Sequence, residues 1–278
     1  MSSSSASQPT TDSGQQYHLL VGPGDVAKHV LLVGDPERAR RVAARFEHVE
    51  LERVHREFIT ITGTLKGRRR TVIGTGISAA NMEITIIEMT RVVEDPVVVR
   101  CGSSGGLQPQ IALADLIVTQ GAVRLEHTSQ EFVEPGYPAI ASTEVVLGLI
   151  QAAAEQEIPH HVGLTATAGG FYAAQGREAG PFRPREAGLV ERLATQRVLN
   201  LEMEASCLLT LASVGGFRAG VVCAAYGNRH FDGFLDDEGR ATAERRCLDV
   251  GLRALELVEE MDAARGAAPH WHPGIANR

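Results

Sequence analysis

Short apolar runs rich in β-branched residues alternate along the chain with longer stretches in which apolar residues recur every three or four positions. The short runs predict strands, which we assign to residues 29–33, 58–64, 70–74, 97–101, 116–123, 162–167 and 219–225. The longer stretches predict helices, which we assign to residues 36–46, 81–93, 144–155, 185–196, 204–214 and 238–265. Strands that alternate with helices predict a mainly parallel sheet covered by helices on both faces.

The chain of 278 residues contains no linker in its middle and no internal repeat, which predicts a single domain. We place that domain at residues 17–264. Residues 1–16 are polar and have nothing with which to bury a core, so we expect a disordered lead. Residues 265–278, rich in Ala, Gly, Pro and His, are expected to form a flexible tail.

Composition narrows the functional classes. A formal charge of −7 argues against a nucleic-acid-binding protein, which would usually carry a basic patch. No apolar run approaches the roughly 18 residues of a membrane span, and the start of the chain lacks the features of a signal peptide. The four cysteines form no CxxC pair, as expected for reduced thiols. These features predict a cytoplasmic protein with no nucleic-acid partner and no membrane partner, although clustered arginines can still bind a small anion.

Ligands of such sheets bind at the carboxyl ends of strands, and residues after the first strand suit an anion. Asp35 is placed to cap a helix and Pro36 to begin it. Gly34 lets the backbone approach a ligand, and Arg38 on the first helical turn supplies a side-chain donor. Alone, the segment is interpreted more simply as a capped helix with a surface arginine.

Arg100 ends a run of three valines and is followed by glycines and serines. A buried guanidinium is costly unless it meets an anion or a carboxylate. We therefore expect a loop at residues 100–106 whose amides and Ser103 hydroxyl bind an oxyanion; an arginine paired with a carboxylate is the alternative. The loop lacks the Lys-[Ser/Thr] ending of a P-loop. A third arginine, Arg56, is by itself interpreted as a solvated hairpin residue.

Residues 171–177 suit a pyrimidine base. Gln175 offers both a donor and an acceptor, and Arg177 offers a fixed donor fork. Together they match the O2, N3–H and O4 edge of uracil, with Phe171 as an aromatic wall. In isolation, a polar surface loop with one aromatic residue remains the simpler interpretation.

Glu202 and Glu204 flank Met203 next to an apolar helix. Carboxylates in an apolar neighbourhood need partners or a function. Glu204 can accept hydrogen bonds from the two ribose hydroxyls, while Met203 covers an apolar face of the sugar or base. Paired carboxylates are also typical of glycosidases, but that interpretation leaves the arginines without a task.

These segments together resemble the uridine phosphorylases, in the same order and at similar spacing. The matching stretches are Tyr17-His18-Leu19, Gly34-Asp35-Pro36-Glu37-Arg38, His55-Arg56-Glu57-Phe58, Arg100-Cys101-Gly102-Ser103-Ser104-Gly105-Gly106, Phe171-Tyr172-Ala173-Ala174-Gln175-Gly176-Arg177, Asn200-Leu201-Glu202-Met203-Glu204 and Asn228-Arg229. The resemblance implies a single-domain three-layer α/β sandwich whose central sheet is mixed and partly barrel-like, the nucleoside phosphorylase fold. It also implies reversible phosphorolysis of uridine in pyrimidine salvage, with deoxyuridine and thymidine left open as substrates.

The resemblance implies a role for each site residue. Phosphate is expected to contact Gly34, Arg38, Arg100 and Ser103, with Arg56 supplied by the neighbouring subunit. Ribose is expected to contact Ser103, Met203 and Glu204, with His18 supplied by that neighbour. The base is expected to contact Phe171, Gln175, Arg177 and Arg229. Such sharing implies a homo-oligomer, either a dimer or a hexamer of three dimers, and phosphate as second substrate leaves no need for a cofactor.

Two segments depart from the family pattern. Residues 78–81 read Ser-Ala-Ala-Asn, where the family usually has Gly-Gly-Pro-Ser or similar. Some relatives hold a potassium ion between subunits at positions matching Glu57, Ile77 and Asn81, so Asn81 in place of Ser alters that candidate site. Tyr226 and Gly227 stand where the family has two aliphatic residues beside the base, and we expect them to change the shape of the pocket.

Three alternatives to a uridine phosphorylase remain. Purine nucleoside phosphorylases of the same superfamily commonly carry an Asp after the last strand, and residues 226–229, Tyr-Gly-Asn-Arg, contain none. A hydrolytic nucleosidase would not need arginines around a phosphate. A catalytically silent nucleoside-binding protein would keep the fold, and the altered segment 78–81 is the feature that favours it.

Overall fold

The computed structural model describes residues 5–275. The rest of the predicted lead and tail, residues 1–4 and 276–278, lies outside the described residues. Within the predicted lead, isolated backbone bridges join Ser5 to Gln8 and Thr10 to Gln16. The domain limits drawn from the sequence stay predictions.

Strands and helices alternate through the described residues, as the hydrophobic pattern predicts. The strands are β1 (His29–Val33), β2 (His48–His55), β3 (Phe58–Leu65), β4 (Arg68–Gly74), β5 (Val97–Gly106), β6 (Leu116–Leu125), β7 (Ala139–Ile140), β8 (His160–Ala168), β9 (Asn200–Glu202), β10 (Arg218–Asn228) and β11 (Gly233–Phe234). The helices are α1 (Pro36–Ala43), α2 (Ala79–Thr90), α3 (Thr143–Glu155), α4 (Leu189–Thr195), α5 (Ala205–Gly215) and α6 (Asp237–Arg265).

Some bounds differ from the predicted ones for local reasons. The pattern does not predict β2, β7, β9 and β11, because β2 is largely exposed and the other three are only two or three residues long. The helix predicted at 185–196 begins only at Leu189, because Gly188 before it has a left-handed backbone with φ 78°.

The sheet is mixed, as the resemblance implies. Its order is β11-β10-β6-β8-β9-β5-β1-β4-β3-β2, with β7 on β6. Because β5 also pairs with β10, the strands β5, β10, β6, β8 and β9 close into a five-stranded barrel. Among residues 5–275, five strand pairings are parallel and six are antiparallel, so the prediction of a mainly parallel sheet holds only in part. One antiparallel pair is a hairpin in which β3 turns into β4 through Lys66 and Gly67, both at positive φ.

Strand β5 continues through residues that the sequence analysis assigns to a loop. It runs to Gly106 and pairs with β10 and, near its end, with β9. The expectation of a loop at residues 100–106 is therefore wrong, whereas anion binding by Arg100 and Ser103 stays a prediction. Glycine fits this strand because neighbouring atoms approach closely: a Cβ on Gly102 would lie 3.0 Å from Cys223 Sγ. Arg100 and Ser103 thus project from a barrel strand.

Helices cover the sheet in two layers. Helix α6 packs on β1, β5 and β10 and against α3, and α1 joins α6 through an ion pair of Arg41 with Glu244. Helices α2 and α5 pack against each other, and α5 also packs on β6 and β8. The strand β1 is buried along its whole length, as expected between two helical layers. Among residues 5–275, no helix combines the length and the apolar character that a membrane crossing requires.

Candidate active site

A cavity of about 1170 Å³ opens at the carboxyl ends of β1 and β10 and along the second half of β5, the edge where α/β sheets bind ligands. All but two of the residues predicted to bind phosphate, ribose or base line it. These residues are Gly34, Arg38, Arg100, Ser103, Phe171, Gln175, Arg177, Met203, Glu204 and Arg229. The two that do not line it, His18 and Arg56, are those assigned to the neighbouring subunit.

Arg38 lies at one end of the cavity on the first turn of α1. As predicted, the Asp35 side chain caps this helix and Pro36 begins it. The alternative of a surface arginine is wrong, because Arg38 is only 8% exposed. Its Nε donates to Glu244 at 2.9 Å and its Nη1 to the Cys101 carbonyl at 3.4 Å. Burial lowers the pKa of Arg38, but the Glu244 carboxylate outweighs burial, so the net pKa lies above its ordinary value.

Arg100 is buried between two carboxylates. Its Nη2 donates to Glu204, and its Nη1 lies 3.7 Å from Glu202. Its buried Nε has no hydrogen-bond partner within residues 5–275. Burial lowers the pKa of Arg100, but Glu204 and Glu202 together raise it above its ordinary value. The alternative of a carboxylate-paired arginine is therefore correct, and Glu204 holds the guanidinium at the cavity wall.

The two glutamates are held in different ways. Glu202 accepts from the Thr167 hydroxyl at 2.6 Å and from two backbone amides at the start of α5, at 2.8 and 2.9 Å. Burial raises the pKa of Glu202. Glu204 accepts from the Ser78 amide at 2.7 Å and from Arg100. Glu202 thus binds backbone amides at the start of α5. Glu204 instead binds the Ser78 amide at the rim of the cavity and Arg100 in its wall.

Two arginines occupy the opposite end of the cavity. The Arg177 guanidinium lies over the Phe171 ring at 4.1 Å and donates to the Gln175 side chain at 2.5 Å. Arg229 donates to the Gln175 carbonyl at 3.0 Å. Burial, and then the charge of Arg229, lower the pKa of Arg177. Neither arginine forms an ion pair with a carboxylate among residues 5–275, although Glu178 and Asp232 also line the cavity, so both guanidinium groups lack a directly paired counter-charge.

Outside the cavity, the two remaining predicted site residues meet in a patch formed by Tyr17, His18, His55 and Arg56. His18 Nδ1 lies 2.7 Å from a carboxylate oxygen of Glu88. Arg56 donates to the Tyr17 hydroxyl at 3.1 Å and lies over the Tyr17 ring at 5.3 Å. The His55 ring nitrogen is 3.1 Å from the His18 carbonyl. The chain therefore presents His18 and Arg56 in one patch, outside the lining of its own cavity.

The residues of the candidate cation site lie at the cavity as well. Glu57, Ile77 and Asn81 all line it. A Cβ on Gly76 would lie 2.6 Å from Asn81 Nδ2 and 3.4 Å from Glu57 Cγ, so both side chains border this glycine. In the described part of the chain, His, Cys, Asp and Glu form no group of three or more that could hold a metal ion. The potassium site stays a prediction.

Two residues near Arg38, Glu244 and Tyr226, are not among the binding residues predicted from the sequence. Glu244 lies 206 positions from Arg38, so no local pattern links the two. Tyr226 is the extra residue of a β-bulge between Ala225 and Gly227 and lines the cavity. Burial raises the pKa of its hydroxyl to about 12, and Arg38 and Glu244 lie near it. Tyr226 therefore lies near the Arg38 end of the cavity. In the sequence, its departure from the family pattern was the signal that could have pointed to this residue.

Known proteins provide close relatives of this chain. The model of a family described as the phosphorylase superfamily matches residues 28–258. A uridine phosphorylase of Thermococcus kodakarensis is 41% identical over 98% of this chain and 97% of its own length. A uridine phosphorylase of Haemophilus influenzae is 34% identical over 87% of this chain and 98% of its own length. A guanosine phosphorylase of Halorubrum lacusprofundi is 31% identical over 77% of this chain and 84% of its own length.

Proposed function

The chain belongs to the phosphorylase superfamily, and on this premise we propose that it is a pentosyltransferase that catalyses the reversible phosphorolysis of uridine to uracil and ribose 1-phosphate. The relatives named uridine phosphorylase support this substrate, because they match nearly the full chain. The cavity supports it as well, since it has arginines at both ends and Glu204 between them.

The single observation that carries the proposal is the asymmetry between the two ends of the cavity. At one end, Arg38 and Arg100 are each paired with a carboxylate. At the other end, Arg177 and Arg229 have no carboxylate partner within residues 5–275 and share Gln175. We assign phosphate to the first end, with Gly34 and Ser103, and the base to the second. Glu204 and Met203 then meet the ribose.

The chemistry follows from this assignment. One phosphate oxygen attacks C1′ while the C1′–N1 bond stretches, and the sugar develops oxocarbenium character that the phosphate charge stabilises. The bonding electrons leave on uracil, whose oxygens face Gln175 and Arg177. A guanidinium group that is not paired with a carboxylate, such as that of Arg177, stabilises a developing anion more than it stabilises a neutral ground state. Uracil then takes the proton that hydrogen phosphate loses as it becomes a phosphate ester, and ribose 1-phosphate remains.

The active unit in this proposal is a homo-oligomer, a dimer or a hexamer of three dimers. His18 of one subunit reaches the ribose 5′-hydroxyl, and Arg56 the phosphate, of its neighbour. The patch geometry favours this, because both residues are held beside Tyr17 outside their own cavity. No organic cofactor takes part, and a potassium ion at Glu57, Ile77 and Asn81 is the one ion we propose as optional. We place the protein in the cytoplasm, with no nucleic-acid or membrane partner.

The test is release of free base from uridine, measured with and without inorganic phosphate. Uracil that appears only with phosphate, in equal amount to ribose 1-phosphate, is the expected result. Arg100→Ala should abolish it, whereas Arg253→Ala, which removes a helix α6 arginine paired with Glu155, should not. Release without phosphate would mean a nucleosidase, and no release from any nucleoside would favour a silent binding protein.

Guanosine is the second candidate substrate, because one relative is named a guanosine phosphorylase. Guanine presents an acceptor beside an N–H donor, O6 beside N1–H, as uracil presents O4 beside N3–H. Gln175 can pair with either edge through its own donor and acceptor. Parallel assays with guanosine, inosine and adenosine decide between them, and a higher kcat/KM for guanosine than for uridine would reverse the assignment.

A further inference from the structure

A second cavity of about 590 Å³ lies on the other side of Arg38 and shares Asp35, Arg38 and Tyr226 with the first. Five arginines line it: Arg38, Arg41, Arg45, Arg240 and Arg245. Five guanidinium groups in one cavity would attract an anion if they were unpaired, even in a protein that is acidic as a whole.

The ion pairs of this second cavity argue against an anion site there. Arg41 is paired with Asp35 at 3.1 Å and with Glu244 at 2.7 Å. Arg45 is paired with Asp249, and Arg240 with Asp237. Since most of the positive charge is already matched by carboxylates, the cavity has little left with which to bind a phosphate group. Glu244, the carboxylate that is paired with Arg38, is the distinctive residue of this cavity.

Glu244 holds Arg38 and Arg41 at the same time. One carboxylate oxygen accepts from Arg38 Nε at 2.9 Å, and the other accepts from Arg41 Nε at 2.7 Å. The side chains of Glu244 and Arg38 are only 13% and 9% exposed, so the bond between them is largely shielded from water, whereas Arg41 is 51% exposed. A carboxylate with both oxygens bonded to rigid guanidinium groups has little freedom to move.

The hydrogen bond to Glu244 helps to decide which N–H donors of Arg38 remain free for a ligand. A guanidinium has five N–H donors in a plane. In Arg38 the Nε donor goes to Glu244 and an Nη1 donor to the Cys101 carbonyl. Both bonds leave donors of Nη1 and Nη2 for a ligand, and Arg38 lines the main cavity. Glu244 and the Cys101 carbonyl thus take two of the five N–H donors, and three remain to bind an anion.

We propose that Glu244 is a positioning residue for phosphate, acting through Arg38 without contacting the ligand. The inference rests on the proposed function only in taking the Arg38 end as the phosphate end. It adds a residue of the last helix to a site otherwise formed by earlier parts of the chain. Without Glu244, Arg38 loses its fixed orientation, and misplacing a binding group by about 1 Å can cost on the order of a hundredfold.

The test compares Glu244→Gln with the wild-type enzyme in two measurements. Calorimetric titration with inorganic phosphate, in the absence of nucleoside, should show a Kd raised about 10- to 100-fold. Steady-state assays should show the same rise in KM for phosphate, while KM for uridine changes by less than about twofold. Glu244→Asp keeps the charge but shortens the reach, so its Kd should lie between those of Glu244→Gln and wild type.

A matched control lies on the same helix. Glu259 also bridges two arginines, Arg68 at 2.9 Å and Arg70 at 2.6 Å, about 22 Å further along α6. Glu259→Gln removes a comparable pair of ion pairs far from the cavity. It should leave the Kd for phosphate within about twofold of wild type.

Each outcome decides the inference. A folded Glu244→Gln enzyme with the wild-type Kd overturns it, and so does an equal rise in Glu259→Gln, which would indicate a general loss of stability. If Glu244→Gln does not fold, Glu244→Asp, which keeps the charge but shortens the reach to Arg38, replaces it; a wild-type Kd there overturns the inference. If the wild-type protein binds phosphate in a Glu244-dependent way but releases no base, the proposed function fails and the positioning role stands.

Discussion

At the scale of single residues, hydrogen-bond partners decide what each charged side chain of the cavity can do. Arg38 and Arg100 are compensated by Glu244 and Glu204, respectively, and their charge is therefore steady. Arg177 lies on the face of Phe171 and next to Arg229. Burial lowers the pKa of Arg177, and the positive charge of Arg229 lowers it further. An anion that develops during the reaction gains most at the Arg177 end, where no carboxylate of residues 5–275 is paired with the guanidinium.

Ser78 illustrates strain at the cavity rim. Its φ is 113° and its ψ is 157°, a region that is essentially restricted to glycine. Its amide nevertheless donates to Glu204 at 2.7 Å, so the conformation serves the site. We expect Ser78→Gly to raise the free energy of unfolding by about 1 kcal/mol, because relief of strain exceeds the entropy cost of glycine and the loss of a weak cap. Urea-induced unfolding measures this change.

The control for that prediction is another serine at a helix start. Ser142 precedes α3 with an ordinary φ of −69°, and its hydroxyl accepts from the Ala219 amide at 3.0 Å. Ser142→Gly should therefore lower stability. If Ser78→Gly lowers it to the same extent, backbone strain at Ser78 is not the controlling factor.

His29 predicts how stability depends on pH. It is 9% exposed, and burial, followed by the charge of Arg70, lowers its pKa from 6.5 to about 4. Glu259 and Asp262 act in the opposite direction, and Lys28 acts with Arg70. Because the unfolded chain takes up a proton at a higher pH than the folded one, the stability due to neutral His29 is full above pH 6.5 and is lost as the pH falls towards about 4.

We expect this loss to reach about 3 kcal/mol, and His29→Phe to remove that part of the pH dependence. Unfolding measured at several pH values between about 7 and 4.5 tests it. The acidic neighbours Glu259 and Asp262 have lowered pKa values, so their own contributions are lost at still lower pH. A slope in this range that is the same in wild type and His29→Phe contradicts the prediction.

At the scale of elements, the site depends on close packing of α6 on β5. Helix α6 carries Glu244 near its start and crosses the strand that carries Arg100. The approach is close at Gly251, where a Cβ would overlap with Cys101 Sγ and lie 3.1 Å from Leu31 Cδ1. Glycine in mid-helix is unfavourable by itself, so its presence here is explained by packing.

Gly251→Ala should lower the free energy of unfolding by about 1–3 kcal/mol, despite the better helix propensity of alanine. Cys101→Ala removes the nearest atom, so the double variant should recover part of the loss. Denaturant unfolding of the two single variants and the double variant tests both statements. If the two effects simply add, contact between these residues is not the cause.

At the scale of the whole molecule, one chain holds two groups of predicted site residues that do not meet. The cavity carries Arg38 and Arg100, while His18 and Arg56 lie in the separate patch with Tyr17. In the proposed oligomer, each cavity is completed by the patch of a neighbour. A subunit then contributes to two different active sites.

This arrangement predicts complementation between inactive variants. Arg56→Ala removes a group from the neighbour's site, and Arg100→Ala removes one from its own site. When the two are co-expressed, each mixed dimer has one intact site and one doubly defective site. Random pairing should therefore restore about a quarter of wild-type activity, measured as phosphate-dependent uracil release.

Arg38→Ala combined with Arg100→Ala is the matched control, because both residues belong to the same cavity and no mixed dimer has an intact site. Complementation there should be absent. If Arg56→Ala with Arg100→Ala also fails to recover activity although mixed dimers form, Arg56 does not act in its neighbour's site.

Local parts of this structure could be predicted because short-range physics decides them. The bounds of β1 and the capped start of α1 at Asp35 follow from apolar runs and from donors satisfied within a turn. The extension of β5 to Gly106 could not, since it depends on strands β9 and β10 lying alongside. Glycine and serine after an arginine indicate a loop as readily as a tightly packed strand.

The alternation of seven of the eleven described strands with the six described helices, the cap of α1 at Asp35 and the resemblance to a phosphorylase family were determined by the sequence alone. The closure of five strands into a barrel and the partners of the buried arginines were decided only by the tertiary structure. Arg38 and Glu244 are 206 positions apart, and Arg100 and Glu204 are 104 apart. Hydrophobic periodicity acts over a few residues, whereas a buried charge is compensated by whichever opposite charge the complete fold brings within hydrogen-bonding distance.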